Sequence, residues 1–399
     1  MIMKNNNENK ILNVPNLRFP EFSEEWKKMK VSELLDFYST NSLSWEQLDY
    51  NNGKIKNLHY GLIHKGVPTM VDVVCDSLPY IKEESMPKSF TLFKEGDVAF
   101  ADASEDTNDV AKAIEVVNCD NQQIVSGLHT IHGRDNYEQT IIGYKGYAFA
   151  SDSFHKQIRR IAQGTKVFSI SARNFDEVYI GIPSKEEQTK IAKLLIAIDK
   201  RIATQNKIIE DLKKLKSAIY QEIFSNLQGE ECSLLDLAEI IKGQQINGSE
   251  LSDSGKYYVM NGGIAPSGYY DSYNTEADTI SISEGGNSCG YVQYNSSEFW
   301  SGGHCYTLRI KPTSSIATHF LFHYLKWKEP DIMALRIGSG LPNIQKKDLS
   351  KISIIVPTLD KQLQLTVLLS AFKKKIENEE MYVANLDKQK QYLLQQMFI

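Results

Sequence analysis

Two pairs of histidines have a spacing that could bring two imidazole rings onto one metal ion. His129 and His132 are three residues apart, and His319 and His323 are four apart, which would place each pair on one face of a helix. A structural zinc site normally needs four histidine, cysteine or carboxylate ligands. No cysteine or carboxylate pattern near either pair completes such a set, so we expect packed or exposed histidines and no bound metal.

The acidic run Ser104–Asp109, "SEDTND", is a second feature that could support chemistry. A nuclease centre uses clustered carboxylates to hold metal ions that activate water at a phosphodiester, usually with a lysine nearby. The run is acidic enough for such a site. We nevertheless interpret it as a polar loop.

The sequence lacks the motifs that bind nucleotides or transfer methyl groups. Gly53 and Gly255 each precede a lysine, but neither belongs to a GxxxxGK[ST] phosphate loop, and no GxGxxG occurs. The active-site signature of amino-methyltransferases, an asparagine or aspartate followed by Pro-Pro and an aromatic residue, is missing. We therefore predict that the chain catalyses no reaction by itself and binds no cofactor.

The composition is typical of an ordinary soluble protein, and the length is enough for two or three domains. The chain has 399 residues, of which 41% are hydrophobic and 24% charged. No apolar run approaches the roughly 20 residues needed to cross a bilayer, and the start, "MIMKNNNENK", has no secretory-signal pattern. We expect a cytoplasmic protein with no membrane partner. The five cysteines form no CxxC pair and are expected to be reduced, mostly packed thiols.

The net charge of −5 does not favour nucleic-acid binding, because DNA-binding domains are usually basic. Net charge averages over all faces of a molecule, however, and one face can be basic on an acidic protein. The charge therefore leaves DNA binding open.

An internal repeat is the strongest organisational signal. Ser169–Phe224 aligns with Asn343–Phe398 without a gap, at an offset of 174 residues, and about a quarter of the aligned positions are identical. Chance similarity between two amphipathic helices is the alternative explanation. The match also includes Pro183 and Pro357 and the segments before them, which lie outside any helix, so we favour a true repeat.

Each repeat copy predicts a short strand, a proline and a long helix. The runs "VYIGI" and "ISIIV" are typical of short strands. Pro183 and Pro357 then end the strands and favour a helix start. In each copy about 40 residues follow, a rod of roughly 60 Å at 1.5 Å per residue.

Apolar residues recur along both helices at steps of three and four, which predicts a coiled-coil seam. One apolar stripe needs a partner helix, and the other copy is the nearest candidate. The predicted helix–helix interface consists of Ile191, Leu194, Ile198, Ile202, Ile209, Leu212 and Ile219 in the first copy, and Leu365, Leu368, Phe372, Ile376, Val383, Leu386 and Leu393 in the second.

The segments before the helices are repeated more faintly and predict two β-rich domains. "VSELLDF" is similar to "LLDLAEI", "GDVAFADASEDTND" to "ADTISISEGGNSCG", and "VSGLHT" to "WSGGHCYTL". We predict an α+β fold in which globular domains alternate with long helices. Two unremarkable β-rich domains are the plain alternative, but helices that stay alike while their domains diverge suggest two readers of different targets.

These features together resemble the specificity subunit of type I restriction-modification systems. The resemblance covers nearly the whole chain. It rests on the leader "VPNLRFPEFSEEW", on the paired strand–proline–helix junctions, and on the recognition-domain motifs "NGG", "SISEGGNSCG" and "FW". It implies a leader at 1–29, target-recognition domains at 30–183 and 229–357, and conserved long helices at 184–228 and 358–399 that pack antiparallel with pseudo-two-fold symmetry.

The resemblance also implies a function and a set of partners. Each recognition domain would read one half of a bipartite, asymmetric site in double-stranded DNA. The helices would dock two modification subunits that hold S-adenosylmethionine and methylate adenine at N6. A restriction subunit would add cleavage driven by ATP and Mg²⁺, and the chain itself would be non-catalytic.

The DNA contacts are expected from two groups of side chains. Basic residues would bind phosphates, namely Arg159, Arg160, Lys166, Lys242, Lys346 and Lys347. Polar loop residues would read base edges, namely His59, Tyr60, Ser104 and His129 in the first domain, and Gln244, Gln245, Asn261, Asn287 and His304 in the second. Each of the latter could equally be an ordinary solvated loop residue.

Two other hypotheses compete with this one. The chain could be a two-domain coiled-coil adaptor whose domains bind proteins or glycans. It could also be a stand-alone nuclease or methyltransferase, although the missing motifs argue against that.

Overall fold

The structure is a computed structural model that describes residues 13–338, 340 and 342–399. The chain is α+β and divides into two compact units. Unit 1 comprises Met1–Gln205 and Tyr382–Ile399, and unit 2 comprises Asn206–Met381. Residues 1–12 of the predicted leader lie outside the described residues. The predicted domain boundaries treat each long helix as a separate segment, whereas each unit contains part of both.

In unit 1, the described residues form thirteen strands and the helices α1 to α5. The strands are β1 Lys27–Lys30, β2 Asp36–Tyr38, β3 Leu48–Asp49, β4 Ile55–Leu58, β5 Met70–Asp72, β6 Tyr80–Ile81, β7 Val98–Ala101, β8 Ala103–Ser104, β9 Ala113–Asn118, β10 Gln123–Ser126, β11 Thr130–Arg134, β12 Phe168–Ser169 and β13 Tyr179–Ile182. The helices are α1 Val31–Leu34, α2 Tyr60–His64, α3 Lys145–Phe149, α4 Asp152–Ile161 and α5 Lys185–Ser225, the last of which continues into unit 2.

Unit 2 contains nine strands and the remaining helices. The strands are β14 Glu230–Ser233, β15 Ala238–Lys242, β16 Tyr257–Met260, β17 Gly268–Tyr270, β18 Thr279–Ser283, β19 Val292–Asn295, β20 Trp300–Ser301, β21 Cys305–Ile310 and β22 Ser353–Val356. The helices are α6 Leu234–Leu237, α7 Thr318–Trp327, α8 Glu329–Ala334, α9 Lys346–Leu349 and α10 Leu359–Gln396, which ends in unit 1. Short 3₁₀ helices occur at Trp45–Gln47, Glu83–Ser85, Ala172–Glu177 and Gly248–Glu250.

Each unit is built on a central, mainly antiparallel sheet. In unit 1 the strand order is β2-β11-β7-β9-β5, and a second sheet has the order β10-β4-β6-β3. In unit 2 the central sheet has the order β15-β21-β18-β19, beside a small sheet β17-β16-β20. Because many of these strands alternate or run apolar, they bury one or both faces in continuous hydrophobic clusters.

The strand before each proline closes its own unit, because it pairs with the first strand of that unit. β13 pairs antiparallel with β1, with Ile182 opposite Lys27. β22 pairs antiparallel with β14, with Val356 opposite Glu230. The predicted strand–proline–helix order is therefore present at both places, and the helices begin two residues after Pro183 and Pro357.

A buried glutamine fixes the start of α5 to unit 1. Gln188 is fully buried. Its Nε2 donates to the carbonyls of Pro183 at 3.0 Å and Gln139 at 3.1 Å, and its Oε1 accepts from the Ile141 N–H at 2.9 Å. One side chain thus joins the proline, the loop before α3 and the first helical turn.

The same set of hydrogen bonds occurs in unit 2 around Gln362, which is also fully buried. Its Nε2 donates to the carbonyls of Pro357 at 2.9 Å and Ser315 at 3.1 Å, and its Oε1 accepts from the Ala317 N–H at 2.7 Å. Gln188 and Gln362 occupy equivalent positions of the sequence repeat, 174 residues apart. The sequence by itself assigned them no role.

Burial differs among the residues of the predicted helix–helix interface, and Leu368 does not fit a buried seam. Ile191, Ile209, Leu365, Ile376 and Leu386 are buried. Partly buried are Leu194, Ile198, Ile202, Leu212, Ile219, Phe372, Val383 and Leu393. Leu368 is 44% exposed, whereas its neighbour Leu369 is fully buried in the core of unit 2.

The reason for this difference is that the first turns of each helix pack on a domain rather than on another helix. Ile191 and Leu195 belong to the core of unit 1, and Leu365 and Leu369 to that of unit 2. The spacing from Gln362 to Leu369 follows one face of a helix at steps of three and four. A coiled-coil heptad pattern applied to this segment assigns Leu368 to the buried face, whereas the buried residue is Leu369.

Polar contacts join the two long helices inside each unit. In unit 1, Lys390 Nζ lies 2.6 Å from Asp199 Oδ1, and Arg201 stacks on the Tyr382 ring at 5.6 Å. In unit 2, Lys213 Nζ lies 2.6 Å from Glu380 Oε1. The end of α10 reaches the core of unit 1, where Phe398 packs edge-on against a tryptophan of the leader.

Two further observations bear on the composition-based expectations. Among the described residues, no helix combines the length and apolarity that a membrane span requires. The five cysteines are free; Cys289 and Cys305 are buried, Cys119 and Cys232 are partly exposed, and Cys75 is exposed.

We predict that Gln188→Ala and Gln362→Ala each lower the free energy of unfolding of their own unit by about 2–4 kcal/mol, because buried carbonyl and N–H groups lose their partners. Denaturant unfolding followed by tryptophan fluorescence measures this. Gln364→Ala, at an exposed position of α10, is the matched control and should change stability by less than about 0.5 kcal/mol. Equal effects of the buried and exposed substitutions would contradict the role of the buried amides.

Candidate nucleic-acid interface

Three separate segments of unit 2 bring predicted base-reading residues together. Asn261 Oδ1 accepts from the His304 N–H at 3.1 Å. A Cβ added to Gly303 would lie 2.4 Å from Gln245 Oε1, so these two segments are in contact. The Gln244 carbonyl accepts from the Trp300 indole N–H at 2.9 Å. The predicted residues therefore form one cluster at the ends of strands β15, β16 and β20.

Glu284, at the end of β18, is the centre of this cluster. Its Oε1 accepts from Lys242 Nζ at 2.7 Å and from the Tyr306 hydroxyl at 2.8 Å. Its backbone N–H donates to the His304 carbonyl at 2.9 Å. Its Oε2 lies 3.8 Å from His304 Nδ1 and has no hydrogen-bond partner among the described residues.

Unit 1 has a corresponding carboxylate–histidine pair. Asp102 follows β7 as Glu284 follows β18, and its backbone N–H donates to the His129 carbonyl at 3.0 Å. The ring Nδ1 of His129 lies 3.2 Å from Asp102 Oδ1. His129 has a φ of 54°, a left-handed conformation that is uncommon for a residue other than glycine and that clusters at functional sites.

Sequence reasoning found both histidines but missed both carboxylates. Burial raises the pKa of the Asp102 carboxyl above its ordinary value, and the neighbouring His129 opposes that rise. The signal that could have identified Asp102 and Glu284 is their common place, directly after an apolar strand and before a polar turn. Sequence alone could not say that these strand ends lie beside a histidine more than fifteen residues further along the chain.

A carboxylate beside Nδ1 has a chemical consequence for an exposed imidazole. His129 and His304 are 51% and 64% exposed. In unit 1, where Asp102 lies within hydrogen-bond distance of His129 Nδ1, a carboxylate that accepts the Nδ1 proton leaves Nε2 of the neutral ring as an acceptor. Such a ring can bind the donors on base edges.

The prediction for His59 is wrong, because this side chain is buried rather than at a loop tip. Its Nδ1 accepts from the Gly61 N–H at 3.1 Å and caps helix α2, and its ring stacks on the exposed Trp45 at 4.3 Å. Burial, with a smaller effect of His129, lowers the pKa of His59. Tyr60 is partly exposed and contacts the His129 ring edge-on at 5.3 Å.

Ser104 and the basic residues of unit 1 lie around one loop. Ser104, in β8, pairs with Phe168 of β12, whose preceding loop carries the exposed Lys166. The acidic run Ser104–Asp109 is a turn whose Asn108 accepts from Arg159 at 3.2 Å. This finding agrees with a polar loop. Arg160 is exposed at the end of α4.

The remaining predicted residues of unit 2 are exposed. Asn287 lies in the turn after Glu284, and Lys346 and Lys347 begin helix α9. This helix is near the cluster, because the Ile344 N–H donates to the Glu284 carbonyl at 2.8 Å.

The histidine pairs that could have bound metal do not converge. His132 is fully buried against Asp97 at 2.8 Å, whereas His129 points to a different carboxylate. His323 contacts the Tyr220 hydroxyl at 2.6 Å, and His319 stacks on Tyr294. Across the part of the chain that the structure describes, no group of three or more potential ligands could hold a metal ion.

Comparison with known proteins defines the class of this protein. Residues 23–214 and 228–385 match the model of the type I restriction modification DNA specificity domain. These two segments cover most of the chain. The chain therefore belongs to the type I restriction modification DNA specificity domain family.

Individual relatives agree with this assignment. A protein named as a type I specificity subunit in Mycoplasma pneumoniae is 35% identical over 147 residues, and one from Mycoplasma genitalium is 30% identical over 155 residues. The chain spans only 39% and 40% of the length of these relatives, and the matches use 37% and 39% of the chain. A protein named as a type I restriction enzyme specificity subunit in Methanocaldococcus jannaschii is 23% identical, covering 94% of this chain and 93% of its own.

Solved structures show the same fold. The S subunit of a type I restriction-modification system from M. genitalium superimposes with a TM-score of 0.62 at 19% identity, over 97% of this chain and 99% of that one. A structure described for complex assembly and conformational transition of a type I system gives a TM-score of 0.60 at 16% identity, over 92% and 96% of the two chains.

We predict that Glu284→Ala lowers the free energy of unfolding of unit 2 by about 1–3 kcal/mol, because the buried Tyr306 hydroxyl and Lys242 lose their common acceptor. Thermal and denaturant unfolding measure the effect. Glu276→Ala, at an exposed position of the same unit, is the control and should be nearly neutral. A neutral Glu284→Ala would show that the carboxylate does not stabilise the cluster.

Proposed function

We propose that the protein is the DNA sequence-specificity subunit of a type I restriction-modification complex. The observation that carries this proposal is the exposed histidine beside a carboxylate that each unit presents at a strand end, in a chain with two matches to the family's DNA specificity domain. The match to a DNA specificity family disfavours the adaptor hypothesis. It equally disfavours a stand-alone nuclease or methyltransferase.

Each unit reads one half of a bipartite DNA site, and the two halves differ because the reading residues differ. Unit 1 offers Tyr60 and His129 around Asp102. Unit 2 offers amides and the exposed His304 around the buried Glu284. Cytosine N4 and adenine N6 are amino donors in the major groove, and glutamine and asparagine pair bidentately with adenine.

Phosphate contacts supply most of the affinity and position each unit on the duplex. The exposed Lys166, Arg160, Lys346 and Lys347 serve this purpose. The net charge of −5 weakens binding by the isolated chain. We therefore expect strong DNA binding only in the assembled complex.

The two long helices form an antiparallel coiled coil that separates the two readers, with pseudo-two-fold symmetry. In unit 1, Asp199 contacts Lys390 and Arg201 contacts Tyr382. Residue numbers therefore increase along α5 in the direction in which they decrease along α10, which supports antiparallel packing. The duplicated glutamine hydrogen bonds support the repeat. The coiled coil acts as a spacer that sets the distance between half-sites.

The chain is non-catalytic, and its partners carry the chemistry. Two modification subunits dock on the outer surfaces of the helices, hold S-adenosylmethionine and methylate adenine at N6 in the DNA that this chain selects. A base in a duplex must be flipped out before such chemistry. A restriction subunit adds cleavage of unmodified DNA with ATP and Mg²⁺.

The spacer role predicts the effect of lengthening the helices. Inserting four residues into each long helix adds roughly 6 Å to the rod, so the gap between half-sites should grow by about one or two base pairs at about 3.4 Å each. A map of methylated adenines in cells that express the chain with its modification subunit measures the gap. The control is a four-residue insertion at the exposed turn Asp120–Asn121, which should leave the gap unchanged. An unchanged gap in the helix variant would contradict the spacer role.

The reader role predicts that His304→Ala weakens binding of the assembled complex about tenfold and relaxes selection in one half-site only, because one base contact is worth about 1–3 kcal/mol. Competition binding with duplexes altered in either half measures this. His319→Ala, an exposed histidine of the same unit, is the control. If both variants bind and methylate like the wild type, His304 is not a reader.

A further inference from the structure

Unit 2 contains a pocket of about 600 Å³ that is lined by four lysines and three glutamates. It lies between the described parts of α5 and α10 in this unit and the helices α7 and α8. Lys216, Lys326 and Lys373 line both this pocket and a smaller adjoining one. Three lysines from three different helices therefore line the same two pockets.

Most of the positive charge around the pocket is paired, but Lys216 is not. Three lysine–carboxylate contacts occur at the pocket: Lys326–Glu329 at 2.5 Å, Lys213–Glu380 at 2.6 Å and the looser, half-exposed Lys373–Glu377 at 3.7 Å. Among the residues that the structure describes, no carboxylate lies within ion-pair distance of Lys216. Among the described residues, the pocket thus has one lysine that no carboxylate contacts directly, although three glutamates also line it.

Without a carboxylate in direct contact, the charged form of Lys216 is unfavourable in its surroundings. Its Nζ lies 5.4 Å from the centre of the Tyr220 ring, and the side chain is only partly exposed. Burial lowers the pKa of Lys216, the like charges of Lys326 and Lys373 lower it further, and the more distant carboxylates of Glu377 and Glu329 oppose this only in part. An ammonium group held among like charges and away from water favours a site that an anion can fill.

In unit 1, the lysine at the equivalent position of the sequence repeat is paired with a carboxylate. At the offset of 174 residues, Lys216 corresponds to Lys390, and Lys373 corresponds to Asp199. Lys390 Nζ lies 2.6 Å from Asp199 Oδ1, and Asp199 Oδ2 accepts from the Tyr147 hydroxyl at 2.8 Å. Unit 1 therefore supplies its own carboxylate where unit 2 places a second lysine.

We propose that the pocket of unit 2 binds an oxyanion between Lys216, Lys326 and Lys373. The bound oxygen atoms take the place that the Asp199 carboxylate has in unit 1. Charge-assisted hydrogen bonds to ammonium groups are the strong class of hydrogen bond, and more so in a partly dry pocket. The volume exceeds that of one anionic group, so a larger molecule that carries a phosphate or carboxylate also fits. This site is independent of the proposed DNA reading.

The test measures the melting temperature of the full chain against inorganic phosphate, acetate and chloride at equal ionic strength. Phosphate or acetate should give a saturable rise in Tm of about 2–5 °C that chloride does not give. A larger response to phosphate identifies phosphate as the ligand group, and an equal response to acetate identifies a carboxylate. No response beyond that of chloride would overturn the proposal.

Lys373→Asp recreates the pair of unit 1 and is the decisive variant. It should raise the anion-free Tm, because the new carboxylate pairs with Lys216, and it should abolish the response to anions. Lys374→Asp makes the same change of charge at the adjacent exposed residue and should keep the response. The opposite pattern would overturn the proposal.

Lys216→Gln provides a second measurement if Lys373→Asp does not fold. It removes the lysine that no described carboxylate contacts directly and should weaken phosphate binding by about tenfold or more. Calorimetry measures this affinity. Unchanged phosphate binding in this variant would overturn the assignment of Lys216 as a ligand.

Discussion

The buried glutamine at the start of each long helix is the interaction on which the rest of the structure depends. The side-chain amide of Gln188, like that of Gln362, donates twice and accepts once inside its unit. Buried backbone groups must be paired, and here one side chain pairs groups from a strand end, a loop and a helix. Because three elements share one residue, none can rotate without leaving buried groups unpaired. The helix therefore leaves each unit in a defined direction.

This constraint lets the reading loops vary while the frame stays constant. The glutamine, the proline and the paired strand are joined mainly by hydrogen bonds to backbone groups. The carboxylate–histidine pairs are positioned by other elements, the central strands β7 and β11 or β18 and β21. The pairing of these strands brings the carboxylate and the histidine together whatever residues occupy the neighbouring loops.

Much of the frame was predictable because it depends on local pattern. The strand–proline–helix junctions and two helices of 41 and 38 residues follow from alternation, proline and apolar periodicity. The prediction failed at Leu368, where periodicity could not tell a helix packed on a sheet domain from a helix packed on another helix. It failed at His59 because a histidine before a glycine-containing helix start looks like a loop residue, and only the fold buries it under Trp45.

The sequence by itself determined the family, the repeat, the long helices and the histidines that face the carboxylates, because these are patterns of residue type along the chain. Only the tertiary structure decided which acidic residues stand beside those histidines. It also decided that Lys390 pairs with Asp199, whereas Lys216 forms no ion pair with any residue that the structure describes. Such pairs join residues that are distant in sequence, and their contact depends on strand register and helix phase, which a one-residue shift would undo.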